Sequence, residues 1–190
     1  MIYLSSLKNI NPFIEAAKIA QTKKIPLILN PGMLIIDQGF DSIKNLLEKV
    51  DIFILSNREY KSLMNIKNET FSQDKYVKHS EVLKRLGIQI IIITLGKRGA
   101  LLICKNKSKL IPLSKQKKVV DTTGAGDAFS AGFIFGLSQY KNFKFETQVK
   151  AVKLGNYVAG ECIQHLGARN GIPLENEINS FFNQVKNNKI

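Results

Sequence analysis

The sequence predicts an α/β fold with a mainly parallel sheet, and three observations favour it. Apolar runs such as Ile52–Leu55 and Ile90–Leu95 have the length of buried strands, and the second consists almost entirely of β-branched residues. Segments with the helical spacing of apolar residues lie between these runs. Turn residues such as Asn30-Pro31-Gly32 separate the two kinds of segment. This alternation is typical of βαβ units, in which helices cover the faces of a sheet.

The first half of the chain contains four predicted strands and four predicted helices. We expect the strands at 2–4, 26–29, 52–55 and 90–95. We expect the helices at 13–22, 41–50, 58–64 and 79–86, each with one apolar face, and Asn11-Pro12 opens the first of them. The polar segment 65–75 is expected to be a loop, and Gly87 is expected to end the fourth helix.

The second half continues with two further strands and three longer helices. We expect the strands at 101–104 and 109–113, the latter at an edge of the sheet, and the helices at 125–137, 146–164 and 174–185. Ligands of open α/β sheets bind beyond the carboxyl ends of the strands. The loops that follow Leu29, Leu55, Leu95 and Asp121 are therefore the places where we expect the chemistry.

Length and composition set limits on the class of protein. The chain has 190 residues, which is typical of one domain, and we treat 1–190 as a single domain. Its formal net charge is +13. The lysines that dominate this charge are spread along the chain, and a composition rich in Lys, Ile and Asn is what AT-rich codons encode. An anionic partner is the alternative explanation, and a nucleic-acid-binding module ranks as the last of our hypotheses.

Several cellular settings and site classes are disfavoured by the sequence. No apolar run approaches the ~20 residues that span a bilayer, and residues 1–10 lack the pattern of a signal peptide. Cys104 and Cys162 stand far apart in apolar surroundings, as free thiols of a reducing compartment do. His79 and His165 have no zinc-ligand spacing. We therefore predict a cytoplasmic protein without a disulfide, and we expect no membrane partner.

The densest chemical signal is the segment Asp121–Phe129, with the sequence DTTGAGDAF. Glycines around an alanine at a helix start let backbone N–H groups point outward, and the helix dipole adds positive potential there. Such a turn binds anions, above all phosphoryl groups. Asp127 in the first turn is a candidate base for an attacking hydroxyl. The alternative is that Asp127 only stabilises the helix start, which is worth ~0.3–1 kcal/mol.

Other familiar phosphate loops and hydrolase motifs do not match. The sequence has no Gly-x-x-x-x-Gly-Lys-Ser/Thr loop and no Gly-x-Ser-x-Gly elbow. A dinucleotide fingerprint that began at Gly124 would have Phe129 at its third glycine position.

The segment Asp121–Phe129, with the following Ser130-Ala131-Gly132-Phe133, resembles the second signature of the PfkB family, the ribokinase-like sugar and nucleoside kinases. Four further segments agree with the family in order. They are Asn30-Pro31 for its Asp-Pro segment, Ser56-Asn57-Arg58-Glu59 for its Asn-x-x-Glu region, Thr94–Ala100 for its nucleotide strand and turn, and Gly167-Ala168 for its late cation and adenine segment. The resemblance covers essentially the whole chain but only the C-terminal part of the family's usual length.

The resemblance implies a three-layer ribokinase-like sandwich and roles for individual residues. Asp127 would be the base that deprotonates the acceptor hydroxyl. The amides of Gly124, Ala125 and Gly126 would stabilise the charge on the transferring γ-phosphoryl group of ATP.

The resemblance also implies ligand contacts. Thr94, Gly96 and Gly99 would line the phosphates and ribose of ATP. Asp121 and Thr123 match positions that hold a monovalent cation such as K⁺. Asn156 would lie on the helix beside the adenine, with an outward polar residue as the alternative.

The magnesium region departs from the family pattern. The family's Asn-x-x-Glu holds Mg²⁺ and phosphate through water, but Tyr60 stands three residues after Asn57 and the glutamate falls one place early, at Glu59. Either the asparagine or the glutamate is therefore shifted. Asn30 stands where the family often has aspartate.

The family's N-terminal strands and β-lid have no counterpart in this sequence. We therefore expect the strand at 2–4 to lie at an apolar edge. The first hypothesis is an ATP-dependent kinase of a sugar or nucleoside, and segments 51–63 and 158–169 look most like its adenosine-kinase-type branch. The alternative is an inactive nucleotide-binding remnant of a split or truncated gene. A separately encoded N-terminal half or a second copy would be the partner.

Overall fold

The computed structural model describes residues 1–67, 70–113, 118–140 and 142–187. The chain divides into two compact units. The first comprises Met1–Thr94 and Leu101–Ser108, and the second comprises Leu95–Ala100 and Lys109–Ile190. Whether the chain acts as one domain stays a prediction.

Within the described ranges, six strands form one sheet in which the order along the chain is also the order in space. They are β1 (Ile2–Ser5), β2 (Leu27–Asn30), β3 (Ile52–Ser56), β4 (Ile90–Thr94), β5 (Ala100–Cys104) and β6 (Ser108–Ile111). The pairs β1–β2, β2–β3 and β3–β4 are parallel. The predicted α/β class with a mainly parallel sheet is confirmed, as are the edge positions of the first and last strands.

The central strands have apolar residues on both faces because helices cover the parallel sheet. Along β3 and β4, every residue except the last is buried. Their register places Ile52 beside Ile90 and Ser56 beside Thr94. The carboxyl ends of these two strands therefore lie at the same edge of the first unit.

The first unit contains six helices within the described residues. They are α1 (Asn11–Lys23), α2 (Met33–Ile36), α3 (Phe40–Leu47), α4 (Asn57–Leu63), α5 (Gln73–His79) and α6 (Glu81–Arg85). The short α2, after the turn at Asn30-Pro31-Gly32, has no counterpart in our prediction. The helix that we predicted at 79–86 is two helices, with Ser80 between them.

The prediction of a loop over 65–75 is wrong at its end, because α5 begins at Gln73. Tyr76 explains the difference. This residue is fully buried and stacks on Tyr60 with 4.9 Å between the ring centroids. The Tyr60 hydroxyl donates to the carbonyl oxygen of Tyr76 at 2.7 Å and also contacts the Ser80 hydroxyl at 2.8 Å. Tertiary burial of two tyrosines thus stabilises a segment whose local sequence is polar.

The second unit is built from three longer helices: α7 (Ala125–Ser138), α8 (Phe145–Cys162) and α9 (Glu175–Lys186). Glycines allow α7 and α8 to approach closely. A Cβ atom on Gly132 would lie 2.9 Å from the carbonyl oxygen of Leu154, and one on Gly155 would lie 2.8 Å from that of Phe129. This close packing fixes α7 relative to α8.

The segment 118–121, which leads into α7, is not a strand. In the described ranges, no helix combines the length and the apolar character that crossing a bilayer requires.

Candidate functional site

The N-terminus of α7 is open and has no side-chain cap. Gly124 is its N-cap residue, with a left-handed conformation of φ 77° and ψ −2° that favours glycine. The amide of Ala125 donates to the carbonyl oxygen of Thr122 at 3.2 Å. The amides of Gly126 and Asp127 have no acceptor among the described residues. Two backbone donors and the positive end of a 14-residue helix are therefore available to an anion.

The two glycines of this turn have opposite surroundings. A Cβ atom on Gly124 would lie 2.7 Å from both the Cβ atom and the carbonyl oxygen of Ala168, so no side chain fits there. A Cβ atom on Gly126 would meet no neighbouring heavy atom within 4 Å. Gly124 thus permits a close contact between two loops, whereas Gly126 leaves the face above the free amides open.

Asp127 lies in the first turn of α7 and is exposed. Its carboxylate accepts no hydrogen bond from any described residue. A carboxylate that stands beside free amides without a partner is available to accept a proton from a ligand hydroxyl. The role of Asp127 as a base stays a prediction.

The Asp121 carboxylate ties this turn to the segment that follows α8. One of its oxygens accepts hydrogen bonds from the amide and the hydroxyl of Thr123, at 2.9 and 2.7 Å. The other accepts from the amide of Gly167 at 2.9 Å. These bonds stabilise the charged form and hold the pKa of Asp121 below its ordinary value, with the Thr123 amide as the largest cause.

These contacts show how many acceptor positions Asp121 and Thr123 have left for a cation. A carboxylate has about four acceptor positions, and Asp121 already uses three of them. The two side chains can therefore contribute about one carboxylate position and a hydroxyl oxygen. A monovalent cation held there would need backbone carbonyl oxygens to complete its coordination.

Cys162, the last residue of α8, is fully buried beside the same turn. Its thiol lies 3.4 Å from the carbonyl oxygen of Ala168 and 3.9 Å from that of Thr123. Burial, with the nearby negative charges of Asp121 and Asp127, raises the pKa of this thiol. It is therefore a neutral S–H donor at neutral pH.

A second turn of the same unit contains two predicted nucleotide contacts. Gly96 and Gly99 flank a single 3₁₀ turn and have φ values of 58° and 89°. A Cβ atom on Gly96 would meet nothing within 4 Å, whereas one on Gly99 would overlap the carbonyl oxygen of Ile111. As at the α7 turn, one glycine leaves space open and the other permits a close backbone contact.

Asn156 is not an outward-facing polar residue, because its exposure is only 3%. Its side-chain amide donates to the carbonyl oxygens of Ile111 at 3.0 Å and Pro112 at 3.2 Å. It thereby holds the backbone against which Gly99 packs. Nothing in its sequence position indicated this role.

The predicted magnesium residues lie in the first unit and have structural partners. Ser56 caps α4, and its amide donates to the Glu59 carboxylate at 2.6 Å while the Glu59 amide donates to the Ser56 hydroxyl at 3.2 Å. Ser56, not Asn57, therefore stands three residues before the glutamate as the N-cap residue. The side-chain oxygen of Asn57 accepts a hydrogen bond from the Tyr76 hydroxyl at 2.7 Å.

The predicted site residues are divided between the two units. Thr94 also belongs to the first unit, where its hydroxyl donates to the carbonyl oxygen of Leu55 at 3.5 Å. The other predicted catalytic, nucleotide and monovalent-cation residues belong to the second unit. Across the described part of the chain, no three side chains of His, Cys, Asp or Glu are close enough to hold a metal ion.

Residues 6–175 match the pfkB family carbohydrate kinase. The chain belongs to the PfkB family. Our identification from the signature segment is confirmed, and with it the assignment to a family of kinases.

Individual relatives of this PfkB chain are sugar kinases. It is 35% identical over 144 residues to an uncharacterized sugar kinase of Archaeoglobus fulgidus, and this match covers 76% of this chain and 52% of the relative. It is 30% identical to a ribokinase of Haemophilus influenzae over 87% of this chain and 50% of the relative. The structure of Arabidopsis thaliana ribokinase complexed with ribose and ATP shares the fold, with a TM-score of 0.79 and 24% identity over 95% of this chain and 55% of that one. The PfkB chain thus spans about half the length of the relatives it matches.

Sequence analysis missed two partners of the PfkB signature turn. The amide of Gly167 is a backbone group, and no side-chain pattern identifies it as the partner of Asp121. The apolar sequence around Cys162 indicated a free thiol in apolar surroundings, and its burial agrees with that interpretation. Its position at the very end of the predicted helix was the only available indication that it lies close to the loops.

Proposed function

We propose that this chain is the ATP-binding part of a phosphotransferase that moves the γ-phosphoryl group of ATP to a hydroxyl of a sugar or nucleoside. A single observation carries the proposal: free backbone amides and an unpaired carboxylate share one open helix start. The amides of Gly126 and Asp127 would bind the phosphoryl oxygens, and Gly124 would shape the turn. Because the amide of Ala125 is already bonded to Thr122, it contributes less.

Asp127 would act as the general base. The acceptor oxygen forms a bond to the γ-phosphorus, the bond from that phosphorus to the β-phosphate oxygen breaks, and the hydroxyl proton passes to the Asp127 carboxylate. ADP leaves with the electron pair of the broken bond. General-base catalysis of this kind contributes typically ~10²–10⁴ in rate.

We propose that ATP binding extends to the second turn of the same unit. Gly96 would allow close approach of the nucleotide, and Asn156 would act by holding the backbone at Ile111 and Pro112. A contact of the Thr94 hydroxyl with ATP stays a prediction, because Thr94 belongs to the first unit. Support comes from the open space at Gly96 and from the buried side-chain amide of Asn156.

Mg²⁺ and a monovalent cation would accompany the nucleotide. Mg²⁺ is usually bound through substrate phosphates with one or two protein groups and several waters, so a complete protein cage is not required. Asn57 and Glu59 would contact it through water, with acceptor capacity that their bonds to Tyr76 and Ser56 leave unused. Asp121 and Thr123 would contribute to a K⁺ site. A sugar or nucleoside is the proposed acceptor class, with an adenosine-like nucleoside as its narrower form.

The assay that tests the function supplies the protein with Mg-ATP and a panel of sugars and nucleosides, and it measures ADP release. Asp127→Asn is expected to lower the rate by roughly 10²–10⁴ without loss of ATP affinity. Asp41→Asn is the matched control, because Asp41 is also the acidic residue in the first turn of its helix, α3. It tests the alternative that Asp127 only stabilises a helix start. An unchanged rate in Asp127→Asn contradicts the assignment of the base.

The same assay separates a kinase from an inactive nucleotide-binding remnant. ATP binding without ADP release on any acceptor would favour the remnant, for which no contact in the described residues provides support. Binding is measured by calorimetry, independently of turnover.

We also propose that β1 pairs along its free edge with another polypeptide, either an N-terminal half or a second copy. The amide of Ile2 donates to Pro26, just before β2, and that of Ser6 donates to Asn30 at the end of β2. The amides of Tyr3 and Ser5 therefore point to the other side. The Tyr3 hydroxyl is buried without a hydrogen-bond partner among the described residues. Light scattering distinguishes the two partners, because only a second copy doubles the mass of the purified chain. The proposal is contradicted if the purified protein has the mass of one chain and this mass does not change when the N-terminal half of a relative is added.

A further inference from the structure

The end of α8 contacts the signature turn through its backbone. The carbonyl oxygen of Ile163, the residue after the helix, accepts hydrogen bonds from the amides of Val120 at 2.8 Å and Asp121 at 3.2 Å. The orphan carbonyls of a helix C-terminus need partners, and here the residues that lead into α7 supply them. The position of the turn therefore depends on the end of α8.

Cys162 adds a side-chain connection at the same place. Its thiol lies within hydrogen-bonding reach of the Ala168 carbonyl oxygen at 3.4 Å and near the Thr123 carbonyl oxygen at 3.9 Å. These two carbonyls belong to different loops, one before α7 and one after α8. The thiol is fully buried, in a cluster with Ala128, Leu154 and Val158, so its position is fixed by packing.

The two loops are also in direct contact. Gly124 touches Ala168 so closely that no side chain fits, and Asp121 accepts a hydrogen bond from Gly167. A displacement of residues 167–168 would therefore move the N-cap residue of α7. Cys162 is buried, whereas Gly126 and Asp127, which carry the free amides, are exposed.

We propose that Cys162 is a positioning residue, whose thiol holds the loops at Thr123 and Ala168 together and so fixes the helix start that binds the phosphoryl group. The inference rests on the proposed function, because a bound phosphoryl group is what makes the position of this turn matter. Cys162 touches no reacting atom. Its effect passes through the backbone from Thr123 to Gly124.

The test compares Cys162→Ala, which removes the donor, with Cys162→Ser, which keeps a donor in nearly the same volume. Cys104→Ala is the matched control, since Cys104 is the second cysteine and belongs to the other unit. Two quantities are measured: amide hydrogen exchange at Thr123 and Gly167 by NMR, and the dissociation constant for Mg-ATP by calorimetry. Denaturant unfolding measures the general loss of stability separately, so that its contribution to both quantities can be subtracted.

For Cys162→Ala we expect exchange at both amides and the dissociation constant to rise by roughly 2- to 10-fold, as for the loss of one hydrogen bond. Cys162→Ser should recover most of both changes, and Cys104→Ala should change neither. Unchanged exchange in Cys162→Ala overturns the inference. Equal changes in the alanine and serine variants overturn it as well, because packing would then explain them.

The test also covers a wild-type protein that does not bind ATP and a Cys162→Ala variant that does not fold. If the wild-type protein does not bind ATP, the proposed function fails, but the exchange rates still show whether Cys162 holds the two loops. If Cys162→Ala does not fold, Cys162→Thr and Cys162→Val replace the pair, because they have the same shape and only threonine has a donor. Faster exchange without weaker ATP binding contradicts the link between loop position and phosphoryl binding.

Discussion

The carboxylate of Asp121 accepts a hydrogen bond from the backbone amide of Gly167, 46 residues later in the chain, at 2.9 Å. The same carboxylate accepts the amide and hydroxyl of Thr123. One charged side chain therefore defines the turn before α7 and attaches it to the segment after α8. Because all three bonds favour the ionised form, they lower the pKa of Asp121.

The first prediction concerns the pH dependence of this connection. A group whose pKa is lower in the folded protein contributes stability that is present above its unfolded pKa and is lost as the pH falls through its folded pKa. We expect the amide resonance of Gly167 to stay constant through the usual range of aspartate titration and to shift only at lower pH. Asp121→Asn should abolish the shift, and Asp127→Asn should leave it in place. If the midpoint pH of this shift lies at or above the ordinary pKa of aspartate, the three hydrogen bonds do not favour the charged form of Asp121.

The second prediction uses the contrast between the two glycines of the turn. Gly124→Ala should destabilise the protein by at least ~1–2 kcal/mol, because alanine is strained at positive φ and its methyl group would overlap Ala168. Gly126→Ala should leave stability unchanged or raise it by up to ~1 kcal/mol, since alanine is the better helix former. Its methyl group would nevertheless lie on the open face beside the free amides, and we expect weaker ATP binding.

Denaturant unfolding and calorimetric ATP titration of both glycine variants check this contrast. For Gly126→Ala, ATP binding should weaken while the free energy of unfolding stays the same or rises. Equal losses of stability in the two variants would contradict the difference in their surroundings. Unchanged ATP binding in Gly126→Ala would place the phosphoryl site elsewhere.

Much of the fold could be predicted because local and tertiary preferences agree. The apolar runs at 52–55 and 90–95 are short, are rich in β-branched residues and are buried along almost their whole length, as strands of a covered sheet are. The start of α7 could be predicted too, because a glycine at the N-cap position and free amides in the first turn follow from neighbouring residues of the sequence. Both cases depend on contacts near in sequence or on burial of a whole segment.

The features that sequence analysis missed depend on distant contacts. Helix α5 is stabilised by Tyr76 against Tyr60, sixteen residues away, which outweighs the polar character of the surrounding segment. The bonds of Asn156 to Ile111 and Pro112 join residues 44 and 45 positions apart. In both cases the partner is a backbone carbonyl, which every residue has. The residue types in the sequence therefore do not indicate which carbonyl is the acceptor.

The third prediction tests whether Asn57 contributes to magnesium binding. The Tyr76 hydroxyl donates to the Asn57 side chain, so Tyr76→Phe removes the group that orients this amide. If Asn57 contacts Mg²⁺ through water, the Mg²⁺ concentration for half-maximal activity should rise by roughly 10-fold, as for other residues that orient metal ligands. Tyr60→Phe is the matched control. It removes a buried hydroxyl from the same stacked pair and should cost ~1 kcal/mol of stability without changing the Mg²⁺ requirement. An equal Mg²⁺ requirement in the two variants would mean that Asn57 only packs against α5, and Glu59 would then be the remaining candidate in this region.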